Sequence, residues 1–340
     1  MYFWFLIKKY VKNFFLTFFG LSFLYVIVDF MFNFKDLPDS SNLQIMYVFY
    51  TFLYASFLLF PLSLVFALLV TISSMIKFNE FVSFYSLGFK PRKLLFPFLA
   101  FAMLVTVFMF ALQSTKLAYS HQYAKSIREN LKYKTYDLFL KYKNNIIYIK
   151  EINPLTKTAW GIKIFKMNDL NLILTLSARK AVYKNKAWHA KNVEITFLNN
   201  NVWKKVKLPE KVLLKNFTPK ILSNLKSLDS ISFYDAYIAI KYFKDINLNM
   251  ILSIVFFKIF TPLTMIALMM LIFYLTPIHS RISNVSIFMI KSATAAIVLW
   301  GIELLLFKFA KQNVVPYWSM TLPFIAVLIA DIIIIRRNND

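Results

Sequence analysis

Residues 44–76 read QIMYVFYTFLYASFLLFPLSLVFALLVTISSMI, a stretch without a single Asp, Glu, Lys or Arg. A helix needs about 20 apolar residues to cross about 30 Å of hydrocarbon. This stretch exceeds one crossing, so it must tilt, bend or project beyond the lipid. Pro61 is the expected bend, because proline donates no hydrogen bond to the helical ladder. Working outward, apolar runs of spanning length recur at residues 14–34, 94–113, 248–276, 285–307 and 314–335. The expected fold is therefore an α-helical membrane protein with six transmembrane helices. Ahead of the first span, residues 2–12 (YFWFLIKKYVK) mix aromatics with lysines. That pattern suits a short interfacial helix, and no small-residue cleavage site marks a signal peptide.

Composition supports a membrane protein. Hydrophobic residues make up 59% of the 340, with 38 Phe and only 4 Gly, more apolar surface than a soluble domain of this size needs. The basic residues orient the spans. Lys8, Lys9 and Lys12, then Lys77, Lys90, Arg92 and Lys93, then Arg281, and finally Arg336 and Arg337 fall on one side if six spans alternate. That side is expected to be the cytoplasm, with both termini in it. Lys308 and Lys311 run mildly against this pattern.

Between the third and fourth spans lies an insertion whose composition differs from the rest. Residues 115–245 hold 25 Lys and Arg against 9 Asp and Glu, a net of +16 out of +24 for the chain. Long loops translocate regardless of charge, so this does not break the orientation rule. The insertion alternates apolar and polar residues in short runs: 137–143 and 146–152 about Asn144 and Asn145, then 160–165, 171–176 and 193–198. Asn199, Asn200 and Asn201 form a further turn signal. The pattern predicts an inserted all-β domain, an antiparallel sandwich or jelly roll. The expected domains are 1–115 (spans one to three), 116–245 (the β domain) and 246–340 (spans four to six).

Several chemistries are excluded. With no cysteine there is no disulfide, thiolate metal site or Cys nucleophile. His121, His189 and His279 all lie outside the spans, so neither a histidine metal cluster nor a catalytic base is expected at membrane depth. Gly20, Gly88, Gly161 and Gly301 are too scattered to cradle a phosphate. The chain is expected to be no enzyme, with no catalytic residues, cofactor or metal.

The loop after the second span carries more information. Asn79 is a predicted N-cap, Glu80 a first-turn acid and Gly88 a C-terminal stop, framing a short helix at about 78–88. Phe81, Phe84 and Tyr85 stand at i, i+3 and i+4 on one face. Such a stripe suits docking into a groove of another protein. It equally suits a helix lying on the membrane, with Glu80 merely supporting it.

These segments resemble the LptF/LptG family of lipopolysaccharide-export permeases. The resemblance rests on Phe60-Pro61, on Asn79-Glu80 followed by Ser86-Leu87-Gly88-Phe89, on Leu248-Asn249-Met250, on Phe260-Thr261-Pro262-Leu263 and on Val315-Pro316, in that order over nearly the whole chain. Residues 144–149 (NNIIYI) and Ala187-Trp188 lean toward LptG over LptF. The resemblance implies an ABC transporter permease in the cell inner membrane of a Gram-negative bacterium. Its partners would be a permease paralogue, an LptB-like ATPase dimer hydrolysing the ATP, and an LptC-like periplasmic bridge. Lipopolysaccharide would be its substrate, and nucleic acid has no part in it. The β domain would be periplasmic, and Glu80, Phe81, Phe84, Tyr85 and Gly88 would form the ATPase-coupling helix.

The family's basic pair matches Lys125 and Arg128, which share one helical face with His121 and Lys132 and would meet the phosphates of lipid A. A solvated helix drawn to headgroups is the competing reading. The family's substrate-facing lysine in the first span is absent here. Asp29 lies in the aligned stretch and Lys35 is the nearest lysine, so both are candidate substrate contacts. Glu303 matches an acidic family position and is also explained by pairing with a neighbouring helix. From another class altogether, a non-transporting anchor that displays a periplasmic β domain remains an alternative, as does the LptF-type paralogue.

Overall fold

The computed structural model describes residues 2–128, 135–142, 145–153, 156–168, 171–185, 187–199, 202–215, 231–242, 248–277 and 284–337. Lys132, Lys143, Asn144, Asn200, Asn201, His279 and Arg281 lie outside the described residues. The chain divides into two compact units, residues 1–124 with 252–340, and residues 125–251.

The first unit is helical. Among the described residues six helices are long and apolar enough to cross a membrane: α1 (Tyr2–Asn33), α2 (Ser41–Lys77), α4 (Pro91–Gln113), α7 (Leu248–Tyr274), α8 (Val285–Lys311) and α9 (Thr321–Arg337), the last preceded by a 3₁₀ turn at Tyr317–Met320. The short α3 (Glu80–Ser86) joins α2 to α4, and α5 (Ser120–Arg128) follows α4. One sequence expectation changes. No break separates an interfacial helix from the first span, since α1 runs unbroken from Tyr2. Pro61 stands inside the helix α2.

The helix α2 is the hub of this unit. Its most apolar window is 78% buried, against 22% for α1 and 11% for α8. The helix α1 lies on α2 by one ridge, Leu6, Tyr10, Phe14, Phe18, Ser22 and Val26, each four residues from the last. Four-residue rows are one of the two ridge sets by which helices interlock. Lipid is as apolar as a leucine side chain, so packing and polar contacts must hold such helices together. The Tyr10 hydroxyl donates to the Leu64 carbonyl at 3.0 Å, Asn13 Nδ2 donates to Thr71 Oγ1 at 2.9 Å, and Thr17 Oγ1 donates to the Ser63 carbonyl at 3.2 Å.

The second unit carries one six-stranded antiparallel sheet: β1 (Thr135–Tyr142), β2 (Asn145–Asn153), β3 (Thr158–Asn168), β4 (Asn171–Lys184), β5 (Ala187–Asn199) and β6 (Val202–Lys215). The expected inserted β domain is present; the runs 146–152, 160–165, 171–176 and 193–198 fall within strands, and 137–143 does so as far as Tyr142. The jelly-roll topology is not confirmed. The described strands pair strictly in sequence order, β1 to β6, whereas a jelly roll needs Greek-key crossings. Alternation gives the sheet two faces. One row across all six strands is Leu138, Ile149, Ile162, Ala178, Val193 and Leu208. On the other face Lys163, Ser177, Glu194 and Lys207 align. Gly161 has φ +64°, and a Cβ there would stand 2.8 Å from that of Lys150, so this close approach of β3 to β2 admits only glycine. The helix α6 (Phe233–Tyr242) belongs to this unit and is capped by Ser232, whose Oγ accepts from Asp235 N at 3.1 Å.

Candidate functional site

The turn between α2 and α4 is built by two left-handed residues. Asn79 has φ +55° and Gly88 φ +77°. Asn79 occupies the cap position, but its side chain makes no capping bond. It serves through its backbone instead, asparagine being among the residues that tolerate this region. Pro91 then opens α4 at its first turn, where its missing N–H costs nothing.

The aromatic stripe of α3 faces inward. Phe81 is 2% exposed and belongs to the membrane unit's own core. Its ring lies 5.9 Å from that of Phe273 on α7, edge to face, and 6.2 Å from Tyr85, stacked. Phe84 packs 5.6 Å from Phe89 and 6.4 Å from Phe5. Burial, reinforced by Tyr274, raises the pKa of the Tyr85 phenol above its ordinary value. Phe81 is thus taken up by the chain's own core, and Phe84 and Tyr85 are half-buried at its edge. A hydrophobic stripe seeks the nearest apolar surface, and the adjacent ends of the spans supply one.

What α3 leaves outside is different. Phe78 and Leu87 are 67% and 73% exposed. Ser83, Ser86, Gly88, Lys77, Lys90, Arg92 and Lys93 are exposed around them. Glu80 is held from within. Lys9 Nζ of α1 donates to Glu80 Oε1 at 2.5 Å, with both side chains about one-fifth exposed. The Lys9 ammonium also lies 5.9 Å from the Phe5 ring and 5.8 Å from the Phe78 ring. Glu80 Oε2 is buried without a hydrogen-bond partner among the described residues.

The other sequence-predicted residues have neighbours of their own. Asp29 is twenty residues from Lys9 along α1, about 30 Å at 1.5 Å per residue, close to a hydrocarbon thickness. Its carboxylate accepts a 2.5 Å hydrogen bond from the buried Tyr47 of α2, and its carbonyl accepts from Asn33 Nδ2 at 2.8 Å. Lys35 is exposed in the 3₁₀ turn Phe34–Asp36 that follows α1. On α5 the His121 ring packs 4.3 Å from Tyr54 and Tyr123 packs 5.0 Å from Tyr50. Lys125 and Arg128 are half-buried and already engaged by contacts of their own. Glu303 is 2% exposed on α8, beside Thr261 and Thr264 of α7. Sequence reasoning missed Lys9, Tyr47 and Phe273. In the sequence Lys9 is one of a basic cluster, and nothing in its spacing names a partner 71 residues away.

The family model of the lipopolysaccharide export system permease LptF/LptG matches residues 4–337. The chain belongs to this family. No curated protein matches it in sequence. Membership assigns the chain to lipopolysaccharide export as a permease, a transporter subunit and not by itself an enzyme. With six spanning helices it is a multi-pass membrane protein. The family covers LptF and LptG alike and leaves the paralogue open.

Proposed function

We propose that this chain is the LptG-type half of an ABC exporter that draws lipopolysaccharide out of the inner membrane, and that α3 is its contact with a separate ATPase. The observation that supports this reading most is the construction of α3. A seven-residue helix between two spans is riveted to them by Phe81 and Glu80 and turns an exposed edge, Phe78 and Leu87 ringed by lysine and arginine, away from the core. A rigid mount with an apolar, charge-rimmed edge suits a surface that receives force. Glu80 Oε2 is a further acceptor for a basic groove residue once the partner closes over it.

In this reading both termini and α3 are cytoplasmic, and residues 125–251 form a periplasmic domain that passes the lipid to an LptC-like bridge. Lys125 and Arg128 meet the lipid phosphates, and one charge-assisted hydrogen bond is worth about 1.5–3 kcal/mol. A permease paralogue completes the chamber around the acyl chains.

The test is co-purification with the ATPase and ATP-driven lipid release from proteoliposomes. Glu80→Ala, or Phe78→Glu with Leu87→Glu, is expected to weaken the ATPase complex or uncouple hydrolysis from release. Wild-type binding and release in both variants would refute α3 as the contact. Photocrosslinkers at 125 and 128 are expected to give more lipopolysaccharide adducts than one at Lys184, and equal yields would refute the phosphate site. The absence of native cysteine makes orientation testable too. A cysteine at position 184 should react with an impermeant reagent from the periplasmic side, and labelling only from the cytoplasmic side would reverse the topology.

A further inference from the structure

We propose that Lys9 is a positioning residue that locks α3 to the first span, so that displacement of α3 passes directly into α1 and not only through the covalent junctions with α2 and α4. The inference rests on the reading of α3 as the ATPase contact. Lys9 Nζ meets Glu80 Oε1 across 71 residues of sequence, and the ammonium sits between the rings of Phe5 and Phe78, at 5.9 and 5.8 Å.

Three features make this pair more than a solvated contact. Both side chains are about four-fifths covered, so water competes weakly for either charge. The next residue on α1, Tyr10, is fully buried and bonded to Leu64, which fixes the helical turn that presents Lys9. Glu80 opens α3, and Phe81 beside it is anchored on Phe273, so the carboxylate cannot swing free without moving α3. The helix α1 is also one of the least self-buried spans of the unit. A push at α3 therefore reaches α1 together with α2, on which the ridge from Leu6 to Val26 packs.

The experiment uses the full chain in its complex with the ATPase and the paralogue. Lys9→Met is expected to raise the ATP hydrolysed per lipid released several-fold, with Lys9→Arg close to wild type. A merely structural lysine would lower complex yield without changing that ratio. A thermal-melting cycle tests the pair independently of transport. Lys9→Glu and Glu80→Lys should each lower the melting temperature, and the double exchange should recover most of the loss. Additive melting losses or an unchanged ATP-to-lipid ratio in Lys9→Met would each overturn the proposal. If Glu80→Ala couples normally while the melting cycle still shows the pair, the ATPase reading of α3 fails and the ion pair stands as a structural tie alone.

Discussion

The two ends of α1 each hold an acid, and each solves the problem of a carboxylate near a membrane differently. Near the N-terminal end, Glu80 of α3 takes a full counter-charge from Lys9. Twenty residues on, Asp29 takes a neutral donor, the hydroxyl of Tyr47. An ion pair costs both partners their hydration and is repaid by Coulomb attraction. A phenol hydrogen bond leaves the negative charge in place. One end is therefore electrically closed, which suits a mechanical joint, and the other sets its carboxylate against a neutral hydroxyl.

The sharpest way to break the comparison is at the core beneath Glu80. Phe81→Ala should cost about 3–5 kcal/mol, seen as a large fall in melting temperature of the purified chain. A small fall would mean that α3 is not anchored by its stripe. Next in size is Tyr47→Phe, which removes a hydrogen bond to a charged group, about 1.5–3 kcal/mol. No loss of thermal stability there would show that Asp29 draws its stabilisation elsewhere. Glu80→Gln should cost only about 1 kcal/mol, since both members of the pair keep some contact with water, while its effect on coupling should be far larger. If stability and coupling fell in proportion, the joint would be structural only. Smallest in stability is Lys35→Ala, within about 0.5 kcal/mol for an exposed side chain. Its use is to sharpen the other end. A fall in lipopolysaccharide crosslinking would identify Lys35 as the substitute for the family's first-span lysine, and unchanged crosslinking would exclude it.

Much of the architecture was legible because it is written in local patterns. Span length and apolarity are properties of a segment by itself, so all six spans could be read without knowing their neighbours. The strand alternation in 146–152 and 193–198 is likewise local, and so are the turn residues Asn79 and Gly88. The sheet's connectivity was less legible. Alternation states which residues share a face but not which strand lies beside which, and a meander and a jelly roll have the same one-dimensional pattern.

The sequence by itself determined that this is a six-span permease with an inserted β domain, and it located the helix that opens at Glu80. Only the tertiary structure decided which way that helix faces and what holds it. The stripe Phe81, Phe84 and Tyr85 specifies that one side of α3 is apolar, but an apolar face has no direction and buries against whichever greasy surface is nearer, here Phe273, Phe89 and Phe5. Lys9 and Glu80, and likewise Asp29 and Tyr47, are paired by the crossing of helices. That crossing depends on the ridge from Leu6 to Val26 packing on α2, a fit of volumes between distant segments that no local pattern encodes.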